Sequence, residues 1–475
     1  MTTAQTSAAV LEISSVGDVS RLINTETARL SHARIIVFLA LGGVFLDAYD
    51  LTTLSYGIQD VAKDFHLRPA LTGVVASSIM IGTIFGGLIG GWFTDKIGRY
   101  HVFMADMVFF VVAALVAGFA PNVWVLIVAR FVMGLGVGID LPVAMAFLTE
   151  FSKFSGKGNK ASRLAAWCPM WYAASSVCFF IVFGLYFLLP AVHADWLWRG
   201  SLIFGAAPAL AIILVRYRYM NESPLWAAQQ GDFERAVHIL RQSYGIEARD
   251  ASYLKPSDVK PPSPSLRILF RRPYLWRTLV ASSMNLCIPF EYTAIAFFLP
   301  AILSQFLGAN VFTTISASLV LNLLFAFTGG LLGIRLARSC PSRHVAITGF
   351  VLQVIALVTL ALLGHPTTAL AIGLAVTMLG LWLFAEGFGP GAQGMIYPAL
   401  SYPTAIRGTA IGFGRSLSGS GSALSLFILP ILKAKLGTDM FWVVSISAFI
   451  PILFLLAIRY EPTQHDIDQT EFGSN

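Results

Sequence analysis

The chain has 475 residues, 56% of them hydrophobic and only 12% charged, with a formal net charge of +7. Soluble domains carry about 25% charged residues, so this composition excludes a soluble protein. Because the deficit extends along the whole chain, it also excludes a soluble domain held by one anchor. The basic residues lie in short segments between apolar runs, which indicates membrane topology rather than nucleic-acid binding.

Twelve apolar runs account for most of the chain. A helix that crosses a bilayer needs about 20 predominantly apolar residues. The runs that meet this requirement, named spans 1 to 12 here, cover residues 34–57, 71–94, 101–119, 123–148, 164–190, 197–219, 278–306, 313–336, 344–363, 367–397, 409–432 and 441–458. We therefore predict an all-α membrane protein with twelve transmembrane helices in two six-helix halves, 34–219 and 278–458.

The polar segments divide the chain into tails and a central loop. Residues 1–33 have no apolar stretch after a charged start, so we expect no cleavable signal peptide. The central loop at 220–277 contains one segment with helical spacing of apolar residues, Ser223 to Tyr244, followed by an irregular linker. The C-terminal tail covers 459–475. With both tails placed in the cytoplasm, that side carries 25 of the 32 Lys and Arg residues, which predicts this orientation in the plasma (inner) membrane.

Span 1 contains two carboxylates, Asp47 and Asp50. Three residues apart on a helix, they share one face. Two close carboxylates in a low-dielectric medium cannot easily both ionise, and an ionisable group inside the bilayer calls for an explanation. We predict that at least one of them carries a proton or contacts substrate. The alternative is a static partner for an arginine or a cap at a helix break.

Spans 2 and 4 follow with glycines and further charges. Gly82, Gly86 and Gly90 recur at intervals of four, which permits close helix contact. Span 4 contains Arg130, whose burial would require a carboxylate partner; Asp47 or Asp50 could supply it, and the pair could be static. Asp140, about 15 Å further along the same helix, could face the cavity as a second proton site or bond to the span 2 backbone.

The second half contributes candidates for substrate contact. Glu291 and Tyr292 lie centrally in span 7, and Glu386 in span 10 precedes Gly387–Pro390, which predicts a helix break that opens backbone groups to a cavity. Either glutamate could instead pair with Arg415 of span 11, which could attract an anion. Aromatic residues including Trp171 could stack on a ring, although lining or lipid contact is the commoner role.

Four segments match motifs of one family. The loop Gly91–Arg99, with Asp95, Lys96 and Gly98, matches G-x-x-x-D-[RK]-x-G-[RK], and residues 330–338 repeat its spacing in the second half. Span 4 contains Arg130-Phe131 followed by glycines at every second position from Gly134 to Gly138. Glu222–Trp226 follows span 6, and Tyr402–Thr409 with Arg407 follows span 10. The chain resembles the major facilitator superfamily over nearly its whole length. This resemblance implies alternating access by a transporter that works as a monomer.

The finer resemblance divides between groups. Asp47-Ala48-Tyr49-Asp50 resembles a motif of both aromatic acid:proton and phosphate:proton symporters, and Gln393 favours the aromatic acid group. Asp140 followed by Pro142 is similar to the phosphate and metabolite symporters, and Glu222–Trp226 resembles a sugar porter segment. Span 5 lacks the glycines of drug:proton antiporters.

The loop signature also predicts a conformational latch. Asp95 can accept the unsatisfied N–H groups at the start of a neighbouring helix, and Arg99 can pair with an acid at the end of span 4, such as Glu150. Glu150 could form a similar pair with Arg163. Such contacts would hold the outward-open state.

We therefore predict a proton-coupled symporter that imports a small polar metabolite, first of all an organic or aromatic acid, with protons and the lipid bilayer as its other partners. A sugar, phosphate or organic cation symporter, or an exporter, remain alternatives. A membrane enzyme is disfavoured because neither a nucleophile motif nor a metal-ligand cluster is present, and we expect no cofactor, no metal and no nucleic acid. The four cysteines fit neither a zinc site nor a disulfide framework.

Overall fold

The computed structural model describes residues 11–24, 33–150, 159–188, 196–251, 265–307, 311–464 and 467–470. A short strand and helix come first, β1 (Leu11–Ile13) and α1 (Val16–Asn24). The helices of spans 1 to 6 follow: α2 (Ala33–Asp64), α3 (Pro69–Ile97), α4 (Arg99–Gly118), α5 (Val123–Glu150), α6 (Lys160–Ala165) with α7 (Trp167–Leu188), and α8 (Trp196–Tyr219).

The central loop and the second half complete the chain. The loop contains α9 (Pro224–Gln229), α10 (Phe233–Ile239), β2 (Ala248–Asp250) and α11 (Leu266–Leu269). Spans 7 to 12 correspond to α12 (Leu275–Tyr292) with α13 (Leu299–Leu307), α14 (Val311–Leu321) with α15 (Thr328–Ser339), α16 (Ser342–Leu363), α17 (Ala369–Phe388) with α18 (Pro390–Leu400), α19 (Thr404–Leu436) and α20 (Met440–Ala457). A short helix, α21 (Ile467–Thr470), lies in the C-terminal tail.

The prediction of twelve spans is confirmed, since each apolar run corresponds to a helical segment. In the described part of the chain, ten segments are long and apolar enough to cross a membrane by length and composition alone. The other two, α2 and α19, are long but carry acids or many Gly and Ser residues. Large apolar side chains such as Phe109, Phe180 and Leu214 point outward and are about half exposed, as expected where hydrocarbon rather than water surrounds the bundle.

Several spans are interrupted where the sequence disfavours a continuous helix. Span 10 breaks between Phe388 and Pro390, as the glycines and proline there predict. Spans 7 and 8 each contain a π-type turn, at Thr293–Phe297 and Asn322–Phe327, which the apolar runs did not predict. Both turns flank the space between the two halves, where irregular backbone is tolerated because it faces a cavity.

Close glycine contacts join the helices, as the four-residue spacing predicts. A Cβ atom on Gly86 would lie 2.2 Å from the carbonyl oxygen of Leu135 in span 4. On the opposite face of span 2, a Cβ on Gly91 would lie 2.5 Å from the carbonyl oxygen of Gly408, and one on Gly412 would lie 2.3 Å from that of Gly87. Span 2 therefore packs on span 4 within its own half and on span 11 across the halves.

A folded layer covers the end of the bundle that carries both tails. β1 pairs in parallel with β2, with Leu11 opposite Ala248 and Ile13 opposite Asp250. Residues 11–24 are therefore part of the fold rather than a simple polar tail. The predicted amphipathic helix is divided into α9 and α10 by a turn at Gly231, whose φ is +81°. Its predicted apolar face is buried as expected, at Leu225, Ala228, Phe233, Ala236 and Leu240.

Candidate functional site

A cavity lies between the two halves. It is lined by spans of both halves. Aromatic rings form much of its wall: Trp167, Trp171, Tyr172, Phe179, Tyr292 and Phe297. The Trp171 indole N–H donates to the Tyr292 hydroxyl at 2.7 Å, so rings from spans 5 and 7 meet across the cavity. Space of this kind suits a small molecule that has a planar or apolar part.

Two opposite charges reach the cavity wall. Arg415 of span 11 and Glu386 of span 10 both line it. Glu386 accepts a hydrogen bond from the Gln353 amide at 2.8 Å, and Arg415 lies 3.9 Å from Asp47 of span 1. The predicted alternative, a pair between Arg415 and a glutamate, is therefore wrong for this structure: the nearest acid to Arg415 comes from the other half.

Three further residues that the sequence singled out, Glu291 as a candidate for substrate contact and Tyr49 and Gln393 as parts of family motifs, lie behind the cavity wall. Glu291 is buried and accepts a hydrogen bond from the Trp382 indole at 2.5 Å. The Tyr49 hydroxyl donates to the Ser201 carbonyl oxygen at 2.8 Å. Gln393 is fully buried, and neither of its side-chain polar atoms has a hydrogen-bond partner among the described residues. These three residues thus act on the cavity only through their neighbours in this conformation.

Asp50 and Arg130 form a buried ion pair. One Arg130 nitrogen, Nη1, donates to both carboxylate oxygens of Asp50, at 3.0 and 2.8 Å. Both side chains are almost completely inaccessible. The sequence left Asp47 and Asp50 as equal partners for Arg130, and the structure selects Asp50. A proton on Asp50 would weaken this pair, which would release a contact between spans 1 and 4.

A second network of buried charges was not predicted from the sequence. Arg216, near the end of span 6, is fully buried and contacts Asp140 of span 4 at 3.1 Å and Asp106 of span 3 at 3.4 Å. Arg130 is therefore not the sole basic residue buried among the first six spans, and Asp140 has a guanidinium partner rather than a place at the cavity wall. Both missed residues were visible as charges inside apolar runs, since Asp106 lies within 101–119 and Arg216 within 197–219.

The predicted contact of Asp95 with a helix start is present. Asp95 accepts from the backbone N–H groups of Gly408 and Thr409, at 3.0 and 2.6 Å, and from the Thr409 hydroxyl at 2.7 Å. These donors belong to the first turns of span 11, so a loop of the first half caps a helix of the second. Arg99 lies 3.4 Å from Asp95 and also donates to the Thr404 carbonyl oxygen at 2.9 Å. All of these groups are buried.

Other parts of the loop have different neighbours. Gly98 has φ +108°, and a Cβ there would lie 2.2 Å from a carboxylate oxygen of Glu222. Glu222 accepts the backbone N–H of Arg99 at 2.9 Å. Burial raises the pKa of Glu222, and hydrogen bonds from the backbone of Ser223 and Arg99 partly offset this. Lys96 lies over the Trp92 ring at 4.5 Å, within its own half.

The C-terminal tail supplies an acid that no motif indicated. Asp468 of α21 accepts from Arg407 at 2.7 Å and from the Thr404 backbone at 2.8 Å, and it lies 3.9 Å from Lys160 of the first half. Burial alone would raise the pKa of Asp468, but Arg407 and Lys160 outweigh it and lower the pKa to about 2. The carboxylate therefore stays charged and joins both halves. Arg163 lies in α6 together with Lys160, and the side chain of Glu150, its predicted partner, is outside the described residues.

The arrangement combines an aromatic-lined cavity with buried carboxylates and a glycine-lined contact between the two halves. That combination suits alternating exposure of a bound solute.

Comparisons with known proteins are consistent with this reading. The model of the sugar (and other) transporter family matches residues 35–469. The chain is 30% identical over 410 residues to the inner membrane metabolite transport protein YgcS of Escherichia coli, covering 86% of each chain. It is 25% identical to the glucose transporter GlcP of Staphylococcus epidermidis, covering 90% of this chain and 93% of that one.

The solved structures agree on the architecture. The proton:xylose symporter XylE of E. coli, bound to 6-bromo-6-deoxy-D-glucose, superposes with a TM-score of 0.79. The alignment covers 93% of this chain and 98% of XylE at 17% identity. The chain thus has the twelve-helix, two-half architecture of the major facilitator fold.

Proposed function

We propose that this chain, which belongs to the sugar (and other) transporter family, is a proton-coupled symporter that imports a small organic acid, with aromatic acids as the first candidates. The observation that carries the substrate class is Arg415. A guanidinium at the wall of a cavity rich in aromatic rings can bind a carboxylate, while the rings pack against the apolar part of the same molecule.

Proton coupling rests on the buried pair of Asp50 and Arg130. Removing one partner of a buried pair typically costs about 3–5 kcal/mol because the other charge is left uncompensated. A proton on Asp50 neutralises one partner, so the two protonation states favour different packing of spans 1 and 4. The XylE structure, described as a proton:xylose symporter, supports a proton as the driving ion.

A sugar is the second candidate. Polar uncharged side chains line part of the cavity: Asn285, Asn322, Ser318, Thr52 and Ser418. Hydroxyl and amide groups of this kind can bind the hydroxyls of a hexose or pentose. Two similar proteins are described as sugar carriers. The two candidates differ in whether Arg415 is needed as a charge.

Reconstitution in liposomes tests the proposal. Charge movement and uptake are measured under an inward proton gradient with aromatic acids, aliphatic acids, hexoses, phosphate and organic cations. We expect a pH-dependent current with an aromatic acid in the wild type, loss of that current in Asp50→Asn, and loss of acid uptake in Arg415→Gln. Uptake of a hexose with no response to acids would reject the acid and favour the sugar. Equal uptake with and without a pH gradient, unchanged in Asp50→Asn, would reject proton coupling.

A further inference from the structure

An imbalance of charge lies where span 11 of the second half meets the first half. Four carboxylates and two guanidinium groups are buried there and along the adjoining spans, and a third guanidinium group, that of Arg415, is partly exposed to the cavity: Asp47, Asp50, Asp106, Asp140, Arg130, Arg216 and Arg415. With every group ionised, this cluster carries one excess negative charge. An unbalanced charge is costly in a low-dielectric interior.

The carboxylates differ in how firmly they are held. Asp50 receives two hydrogen bonds from Arg130, and Asp140 and Asp106 each receive one from Arg216. In the described part of the chain, neither oxygen of Asp47 has a hydrogen-bond partner. Asp47 is 1% exposed, and its nearest cation is Arg415 at 3.9 Å.

The groups that face Asp47 come from every side. Asp50 lies on its own helix, Asp140 on span 4, Arg216 on span 6 and Arg415 on span 11. Arg216 already bonds to two other carboxylates, so Arg415 is the cation whose position decides the charge state of Asp47. Arg415 is also the member of the cluster that lines the cavity, with 13% of its side chain exposed and its Nε without a hydrogen bond among the described residues.

We infer that Asp47 is a second proton-binding site, distinct from Asp50, which takes up one proton when an anionic substrate binds Arg415. This inference rests on the proposed acid substrate. A bound carboxylate hydrogen-bonds to Arg415 and reduces the positive potential at Asp47, while it adds one negative charge to a cluster that already has an excess. A proton on Asp47 removes that added charge.

Asp47 is the site of uptake because it accepts no hydrogen bond among the described residues and its nearest cation is the arginine that binds substrate. A proton on Asp50 would weaken two charge-assisted hydrogen bonds from Arg130, and Asp106 and Asp140 have Arg216 rather than Arg415 as their arginine partner. A proton on Asp47 weakens only its contact with Arg415, whose nearest nitrogen lies 3.9 Å away. Substrate bound to Arg415 then favours a proton on Asp47, and by thermodynamic linkage a proton on Asp47 favours substrate binding by the same factor.

Titration calorimetry on the purified full-length protein tests the inference. Benzoate is the probe and benzamide is its uncharged match, and each titration is repeated in two buffers of different ionisation enthalpy to count the protons taken up. In the wild type we expect uptake approaching one proton per benzoate. The affinity for benzoate should fall as the pH rises, by up to about tenfold per pH unit in the range where Asp47 titrates. In Asp47→Asn we expect no uptake and an affinity that does not depend on pH.

The controls distinguish a failure of this inference from a failure of the proposed acid transport. Asp232→Asn, which alters a carboxylate of the central loop outside this cluster, should keep the proton uptake that accompanies binding, and Arg415→Gln should lose benzoate binding. Proton uptake that persists in Asp47→Asn, or a wild type that binds benzoate without uptake, would overturn the inference but leave acid transport standing. If Asp47→Asn fails to fold, the number of protons that the wild type takes up per benzoate still tests the inference. Failure of benzoate, 4-hydroxybenzoate and nicotinate to bind, with binding of glucose or xylose, would overturn both.

Discussion

Replacement of Asp95 by asparagine tests whether the contact between the loop after span 2 and the start of span 11 acts as a latch. The carboxylate accepts three hydrogen bonds from Gly408 and Thr409 at 2.6–3.0 Å. Asparagine is nearly isosteric but has one acceptor oxygen and no charge, so an N–H of span 11 is left facing an amide. Hydrogen bonds to charged groups contribute about 1.5–3 kcal/mol each.

A loss of about 2–3 kcal/mol from the closed interface corresponds to a shift of about 30- to 150-fold in the equilibrium between closed and open arrangements of this end. We expect slower turnover with substrate affinity roughly unchanged, because Asp95 does not line the cavity. The shift itself can be measured by pulsed electron resonance between spin labels at His101 and Arg338. These exposed residues lie in the first turn of α4 and the last turn of α15, next to the corresponding loops of the two halves.

Matched variants sharpen the test. Thr409→Val removes one of the three hydrogen bonds and should give a smaller shift in the same direction. Asp232→Asn alters another aspartate at a helix start, where it accepts the Arg235 N–H at 2.9 Å without reaching the second half, and it should leave the distance distribution unchanged. A collapse of affinity in Asp95→Asn with normal turnover and unchanged distances would refute the latch.

Three further predictions follow from other contacts. Asp468→Asn should lower the melting temperature by several degrees at pH 7. Because the pKa of Asp468 is depressed to about 2 in the folded state, the difference between variant and wild type should persist down to about pH 4 and shrink only below it. Thermal unfolding measured across pH 3–8 checks this. Gly412→Ala should block transport because its Cβ would lie 2.3 Å from a backbone oxygen of span 2, whereas Gly373→Ala, with no atom within 4 Å of the new Cβ, should transport normally. Arg216→Gln should reduce the yield of folded protein by leaving buried carboxylates without a cation, a cost of about 3–5 kcal/mol, and the added change Asp140→Asn should restore part of it, as size-exclusion profiles would show.

The candidate site shows where reasoning from the sequence succeeds and where it stops. The charges Asp47, Asp50 and Arg130 were recognisable because an ionisable residue in an apolar run stands out. The helix break in span 10 was recognisable from its glycines and proline. The choice of Asp50 over Asp47 as the partner of Arg130 was not, since both acids lie on one helix face and the choice depends on how span 1 is rotated against span 4.

Other features depend on contacts that no local pattern records. Arg216 lies near the end of its span, and only the packing of spans 3, 4 and 6 shows that its charge is buried. Asp468 lies in a short tail without a motif, yet it meets Arg407 and Lys160 from two different halves. The pairing of β1 with β2 joins segments more than 200 residues apart, and three-residue strands carry too little alternation to be recognised.

The sequence by itself determined the membrane class, the number and approximate positions of the spans, the division into halves and the small-residue faces. These properties follow from the length, polarity and spacing of neighbouring residues, because the ability of a segment to cross a bilayer as a helix depends on that segment's own residues. Tertiary structure alone decided which charges pair, which of them reach the cavity and which contacts cross between the halves. Those outcomes depend on the rotation and separation of whole helices, because an ångström of displacement determines whether a carboxylate bonds to an arginine or stands open to a proton.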